Sequence, residues 1–338
     1  MQTFWCACGT RVFFENTRCL TCWRELGFLP DVSTVSALEP TRTGTFSTGH
    51  GDYRKCSNYV DEGVCNWMVP VSAAGHLCDA CQLNHVIPNL SQPENRILWR
   101  ETEKAKRRLI YGLHRLRLPL VSKQEDPKRG LAFDIKSDVG STRVVTGHQD
   151  GLITMNLAEA DAPERERVRV AMKESYRTLL GHFRHEIGHY YWDRLVRDSP
   201  NLGRFRELFG DERASYAEAI NFHYSKSNSA QSDYAELFIS TYAGAHPWED
   251  FAETFAHYLH MQDTLETAHS FGFTMGSSAR PDTGDIREFA RLLDEWTDLT
   301  IALNALNRSM GLPDAYPFAI SGRVKEKIEF IHTLIGRA

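Results

Sequence analysis

The sequence predicts an α+β fold in which a small cysteine-rich domain precedes a mainly helical domain with a small β-sheet. All eight cysteines of the 338-residue chain lie between Cys6 and Cys81. Nearly all of the chain after Pro163 has the apolar periodicity of helices, whereas two runs at 131–137 and 141–161 alternate like strands. We expect domains at 1–90 and 95–338, joined at VIPNLSQPEN, where prolines and polar residues indicate a linker.

Composition and charge narrow the range of functions. The chain has 42% hydrophobic and 25% charged residues, which is typical of a globular protein. A net charge of −5 and a pI near 6.3 argue against a nucleic-acid or anionic membrane partner. MQTFWCACGTRVFF lacks the regions of a secretion signal, and no segment reaches the roughly 20 apolar residues of a membrane span. We therefore expect a cytoplasmic protein.

The second domain is predicted to begin with a helix at 95–118, whose basic face we interpret as solvated surface. LAFDIKS and GLITMNLAEAD are predicted strands, and the GHQDG turn before the second strand indicates a hairpin. Pro163 is well placed as the first residue of a helix. The later helices are predicted at 163–173, 175–197, 207–222, 248–269, 284–310 and 321–335.

The cysteines have the spacing of metal ligands. Cys6 and Cys8 form one tight pair and Cys19 and Cys22 another, so two turns can bring four thiolates to one zinc ion. The second set ends in another CxxC pair. Its members are Cys56, Cys65, Cys78 and Cys81. We expect two structural Cys₄ zinc sites grouped in sequence order, in preference to disulfides; pairs interleaved between the two sets are the open alternative.

The stretch FRHEIGHYYWDRL, residues 183–195, carries the candidate catalytic centre. His185 and His189 lie four residues apart, so on a helix both imidazoles share one face and can ligate one zinc ion. Glu186 is placed to accept a proton from a water whose pKa the metal lowers toward ~7. The motif is short, and a core helix with two hydrogen-bonded histidines is the structural alternative.

A third ligand is expected further along the chain. A metzincin site would need glycine and histidine where this chain has Trp192 and Leu195, so that class is rejected. Asp193 is a candidate supporting group only. In HPWEDFAETFAHYLHM, Glu249 and Glu253 stand four residues apart, so one can bind zinc while the other accepts a hydrogen bond from a liganding histidine. Which of them is the ligand stays open, and a solvated acidic face is the alternative.

The motifs resemble those of known metallopeptidases. HExxH followed by a helix with ExxxE resembles the gluzincins, and EDFAETF is similar to the EFFAEAF segment of the anthrax lethal factor catalytic domain. This resemblance implies a zincin-like fold, with Glu249 as third zinc ligand and Glu253 as its support. It also implies that Tyr242, seven residues before Glu249, binds the oxyanion of the reaction.

A second resemblance covers most of the chain. GHFRHEIGHYYWDRL, FGDERASYAEA and HPWEDFAETFAHYLH together resemble bacterial zinc-binding metallopeptidases with an amino-terminal zinc ribbon. We expect one catalytic and two structural zinc ions (Zn2+) and hydrolysis of peptide or protein substrates. GLITMNLAEAD is the candidate edge strand for pairing with a peptide, although a core hairpin would have the same sequence.

Two other classes of function remain open at this point. One is a non-enzymatic zinc-ribbon adaptor whose zinc sites are all structural, and the other is a nucleic-acid-associated protein, which the acidic pI disfavours. In a peptidase, the zinc-ribbon domain would either recruit protein substrates or cover the cleft.

Overall fold

A computed structural model describes residues 2–172, 174, 176–225, 231–273 and 286–337. The chain divides into two compact units. The first comprises Met1–Arg115 with Leu120–Met172, and the second Leu116–Pro119 with Lys173–Ala338. Small sheets dominate the first unit and helices the second, so the predicted α+β class is confirmed. The limits 1–90 and 95–338 stay a prediction, because one compact unit can contain parts of two sequence domains.

The first unit begins with short antiparallel strands around the cysteines. These strands are β1 (Phe4–Trp5), β2 (Arg11–Val12), β3 (Leu26–Leu29), β4 (Thr34–Ala37), β5 (Glu39–Pro40), β6 (Phe46–Thr48), β7 (Gly51–Lys55) and β8 (Met68–Pro70). β1 pairs with β2 and β3 with β4, while β5 to β8 form one sheet in sequence order. A single helical turn, α1 (Ser57–Val60), follows Cys56. Aromatic contacts among Phe14, Phe28 and Trp67 form a small core.

A fourth sheet and two further helices complete the first unit. They are β9 (Asn84–Val86), α2 (Pro93–Arg115), β10 (Ala132–Lys136), β11 (Gly147–Gln149), β12 (Leu152–Asn156) and α3 (Ala162–Ala171). The strand order is β11-β12-β10-β9, with β10 parallel to both neighbours. The predicted hairpin is present as β11 and β12, and its turn residues Asp150 and Gly151 both have positive φ, as a two-residue Asp-Gly turn requires. The candidate edge strand, β12, instead lies between two neighbours.

The basic face of α2 packs onto the segment that precedes Cys65. Three arginines of α2 donate hydrogen bonds to the successive backbone carbonyls of residues 62–64. They are Arg96, Arg100 and Arg107. Arg107 is buried, and although burial opposes its charge, the neighbouring Cys65 and Glu103 raise its pKa. The interpretation of this face as solvated surface is therefore wrong, because the guanidinium groups satisfy a loop of the cysteine-rich part.

The second unit consists of helices and short connections. Its helices are α4 (Leu179–Leu195), α5 (Leu202–Phe209), α6 (Tyr216–Ser225), α7 (Gln231–Leu237), α8 (Pro247–Ser270), α9 (Ile286–Ser309) and α10 (Gly322–Gly336). The single helix predicted at 207–222 is wrong, because Gly210 adopts a φ of 105° and ends α5. α4 begins later than predicted because the Thr178 hydroxyl caps it by accepting from the Gly181 N–H at 3.0 Å. Residues 173, 175, 284 and 285 of the predicted helices lie outside the described residues.

Helices α4 and α8 approach each other closely at one point. A Cβ atom built on Gly188 would lie 2.9 Å from the Cα atom of Ala252, so glycine is what permits this approach. Farther along, the rings of Trp192 and Trp248 meet at 6.5 Å between centroids. Sequence numbers rise along α4 as they fall along α8, so the helices run antiparallel. None of the described helices is both long and apolar enough to cross a membrane.

Candidate metal centres

The eight cysteines form two groups in sequence order. The members are Cys6, Cys8, Cys19 and Cys22 in the first group and Cys56, Cys65, Cys78 and Cys81 in the second. The Sγ atoms of Cys6 and Cys22 lie 3.6 Å apart, and those of Cys65 and Cys78 lie 3.7 Å apart. Thiolates at tetrahedral zinc lie about 3.8 Å apart, whereas sulfurs in a disulfide are about 2.0 Å apart. Both groups therefore fit zinc, and all eight thiols are free of disulfides.

Backbone N–H groups donate hydrogen bonds to two sulfurs of the second group. The N–H of Cys78 donates to Cys56 Sγ, and that of Trp67 donates to Cys65 Sγ, each at 3.4 Å. Hydrogen bonds from Cys65 and Cys78 lower the pKa of Cys56, whereas burial raises the pKa of Cys78 well above the usual thiol value. Because zinc binds thiolates, metal binding at this group would release protons.

The second unit brings together His185, His189 and Glu249. The two Nε2 atoms are 3.2 Å apart, and Oε2 of Glu249 lies 2.9 Å from that of His185 and 3.4 Å from that of His189. Ligands at bond lengths of about 2.1 Å around tetrahedral zinc lie about 3.4 Å apart. Glu249 is only 2% exposed, and its Oε2 contacts the two histidine nitrogens. A buried carboxylate oxygen that faces two imidazole nitrogens fits a divalent cation.

Glu253 accepts a hydrogen bond from the ring of His185. Its Oε1 lies 2.7 Å from Nδ1 of His185, so it accepts the ring N–H and leaves Nε2 to face Glu249. Ser240 donates to the other oxygen of Glu253 at 2.6 Å and accepts the N–H of Ala243 at 3.1 Å. Burial opposes ionisation of Glu253, but the His185 hydrogen bond lowers its pKa to about 2. Sequence reasoning missed Ser240, whose only signal is its place just before a short helical turn at 242–245.

Glu186 lies at the same centre and is 7% exposed. Burial raises its pKa above the ordinary glutamate value, although the nearby charges of His185 and His189 act in the opposite direction. Burial would also lower the pKa of His185, but hydrogen bonds with Glu249 and Glu253 raise it well above the usual value. The centre therefore brings two imidazoles and three carboxylates together in one buried cluster.

Two tyrosines lie beside the carboxylates. The Tyr242 ring is 5.8 Å from the His185 ring, measured between centroids. Tyr216, which sequence reasoning missed, donates its hydroxyl to Oε1 of Glu249 at 2.8 Å. Burial, first, and then the Glu249 charge raise the pKa of both tyrosines. The only sequence signal for Tyr216 is its position in the piece FGDERASYAEA.

The remaining sequence candidates have other contacts. His246 caps α8, because its Nδ1 accepts the Trp248 N–H at 3.1 Å while its Nε2 donates to a backbone carbonyl at residue 214. Asp193 forms an ion pair with Arg197 one turn later, at 3.1 Å. His257 is buried and pairs with the hydroxyl of Tyr316, as expected of a packing residue.

Comparison with known proteins agrees with this arrangement of the chain. Residues 95–334 match the family described as "Putative zinc-binding metallo-peptidase", and residues 3–92 match a zinc-ribbon domain. Uncharacterized proteins of Mycobacterium bovis and of two Mycobacterium tuberculosis strains are 43% identical over 339 residues, which cover 99% of this chain and 95% of each relative. No solved structure matches the chain. The chain therefore belongs to the family described as "Putative zinc-binding metallo-peptidase" and carries a zinc-ribbon domain ahead of the matched segment.

Proposed function

We propose that the protein is a zinc-dependent peptidase of the gluzincin type. In this proposal His185, His189 and Glu249 hold one catalytic zinc ion, and the two cysteine groups hold two structural zinc ions. The observation that carries it is the convergence of two imidazole nitrogens and a buried carboxylate oxygen beside Glu186. Glu249 is favoured as the ligand over Glu253, because its oxygen faces both Nε2 atoms and Glu253 faces only Nδ1 of His185.

Each residue of the histidine centre has one role in the proposed peptide hydrolysis. A zinc ion at this centre would polarise the attacking water and the substrate carbonyl. Glu186 accepts a proton from the water on its carboxylate and delivers it to the leaving amine. Tyr242 donates its hydroxyl to the oxyanion that develops on the carbonyl. Glu253 holds His185 in the tautomer that directs Nε2 into the centre.

Replacing the base tests this function. Glu186→Gln keeps the size of the side chain and leaves the three proposed ligands intact, so it should retain zinc. It should lose hydrolysis by roughly 10²- to 10⁴-fold, the usual contribution of general acid–base catalysis. Proteome-wide comparison of cleavage products from wild type and variant measures the loss.

The control is Glu207→Gln, which changes an exposed glutamate on α5 that pairs with Arg204. It should cleave like wild type. Cleavage by Glu186→Gln at the wild-type rate, with zinc content unchanged, would show that Glu186 is not the base.

A vacant coordination position separates a peptidase from an adaptor with closed zinc sites. We expect a hydroxamate to bind the native protein, because three protein ligands leave room at the ion for two hydroxamate oxygens. Calorimetric titration of the zinc-loaded protein measures this binding, and His189→Ala serves as the control that lacks the centre. Absence of binding to the zinc-loaded wild type would favour a closed site and contradict the proposed peptidase.

A further inference from the structure

Tyr216 has no role in the proposed reaction, although it reaches the metal centre. It is the first residue of α6 and is 43% exposed. Its hydroxyl nevertheless donates to Oε1 of Glu249, which is 2% exposed. A surface helix therefore contributes one polar group to a buried carboxylate.

Residues at the amino-terminal end of α8 fix the position of Tyr216. His246 Nε2 donates to the carbonyl of Ala214, two residues before Tyr216, at 3.1 Å. The Tyr216 ring lies 5.3 Å from the His246 ring and 6.2 Å from the Trp248 ring, edge to face in both cases. The same segment that presents Glu249 thus holds the tyrosine that touches it.

The two oxygens of Glu249 have different surroundings. Oε2 faces the two histidine nitrogens, and Oε1 accepts the Tyr216 hydroxyl at 2.8 Å. A carboxylate can bind a metal through one oxygen or through both. An O–H group directed at one oxygen competes with the metal for its lone pairs and leaves the other oxygen as the ligand.

Glu253 provides an internal comparison. Ser240 donates to one of its oxygens and His185 to the other, so both oxygens are engaged. A hydroxyl thus donates to each of the two glutamates, but of these two only Glu249 directs its other oxygen at the Nε2 atoms of both histidines. The Tyr216 hydroxyl therefore influences how many oxygens Glu249 offers to a metal.

We infer that Tyr216 is a positioning residue that holds Glu249 as a one-oxygen ligand. By occupying Oε1 it keeps a coordination position open for water and for the substrate carbonyl. Only the role of this open position in hydrolysis rests on the proposed peptidase function. The effect of Tyr216 on how many Glu249 oxygens bind the metal is independent of it.

The test uses the full chain with Co2+ at the histidine centre. A mild chelator removes the metal of that centre and Co2+ replaces it, while the closed cysteine sites retain zinc. In Tyr216→Phe the freed Oε1 joins the metal as a further ligand. We expect the visible Co2+ absorption to weaken, because absorption by high-spin Co2+ falls as the number of ligands rises above four. Zinc affinity, measured by chelator competition, should change by roughly 10-fold, as for other groups that orient a ligand.

Tyr224→Phe is the matched control, because Tyr224 lies on the same helix and is similarly exposed. It should leave the Co2+ spectrum unchanged. A wild-type spectrum for Tyr216→Phe overturns the inference, and so does an equal change in both variants. Thermal unfolding of the two variants verifies that each is folded, which the retained aromatic ring favours.

Failure of the inference differs from failure of the proposed function. If wild type shows no hydrolysis that depends on Glu186, the peptidase proposal fails while the Co2+ spectra still report ligand number. If hydrolysis depends on Glu186 but the spectra of Tyr216→Phe and wild type coincide, only the role of Tyr216 is lost.

Discussion

At the scale of single residues, Glu186 is buried, yet the proposed role as general base requires it to be ionised. A carboxylate accepts a proton only in its charged form, and burial disfavours that form. The resulting higher pKa makes Glu186 a stronger base than an exposed glutamate. It also restricts the pH range in which the base is available.

The pH dependence of hydrolysis follows from this shift. Because the base must be deprotonated and its pKa is raised, kcat/KM should fall as the pH decreases through a value above the ordinary glutamate pKa. Initial rates across the acidic range measure this limb of the profile, and zinc analysis at each pH excludes loss of metal. A limb at or below the ordinary glutamate pKa, with zinc retained, would contradict the assignment.

The residues of the centre were predictable to different degrees. His185 and Glu186 were recognisable because helical spacing places chemically distinctive groups on neighbouring positions. Glu249 and Glu253 needed a resemblance to rank them, since acidic residues at four-residue spacing also occur on solvated faces. Tyr216 was not predictable, because its contact with Glu249 spans 33 residues and crosses two helices without a periodic pattern.

At the scale of elements, the crossing of α4 and α8 brings the proposed zinc ligands together. Gly188→Ala should separate the two helices, because the added methyl group would lie 2.9 Å from Cα of Ala252. We expect a loss of about 1–3 kcal/mol in the free energy of unfolding and weaker zinc binding at the histidine centre. Denaturant unfolding and chelator competition measure the two effects.

The matched control is Gly203→Ala on α5, where an added Cβ has no atom within 4 Å. Since alanine is the better helix former by up to about 1 kcal/mol, this variant should be as stable as wild type or more stable. Gly188→Ala with wild-type stability and zinc affinity would show that the close approach is not required.

A buried ion pair joins α8 to α10. Lys327 donates to Asp250 at 2.6 Å, and both side chains are almost fully buried. Lys327→Met should lower the free energy of unfolding by about 3–5 kcal/mol, because it leaves a buried carboxylate without its partner. Denaturant unfolding measures the loss. The double variant with Asp250→Asn should recover part of it, and a single variant as stable as wild type would contradict the role of the pair.

The limits of helices were predicted well where an apolar periodicity extends over several turns. They were predicted poorly where the conformation of a single residue ends an element. α8 and α10 lie close to their predicted limits, since each has an apolar stripe of several turns. The helix expected at 207–222 is interrupted because Gly210 adopts a positive φ. The interior position of β12 was not predictable, because it depends on pairing with β10, about twenty residues earlier in the chain.

At the scale of the whole molecule, the two kinds of zinc site should respond differently to chelators. The cysteine-rich part has a small apolar core and should lose its structure when a strong chelator removes its metal. We expect limited proteolysis then to cleave within residues 3–92 while the helices of the second unit stay protected. A mild chelator that empties only the histidine centre is the control, and it should leave the digestion pattern unchanged. Equal digestion with and without the strong chelator would contradict a structural role of the metal.

The arginines of α2 bear on whether the zinc-ribbon segment can be separated from the segment that follows it. The zinc-ribbon match ends at residue 92 and the peptidase match begins at residue 95, yet α2 donates three guanidinium groups to the loop before Cys65. A zinc ion held by four thiolates would carry a net negative charge, and buried Arg107 lies close enough to Cys65, Cys78 and Cys81 to offset it. A chain that began at residue 95 would leave buried Arg107 without the Val64 carbonyl, and one that ended at residue 92 would lack the cations of α2. The boundary between the two family matches is therefore not a boundary at which the chain can be cut without loss of stability.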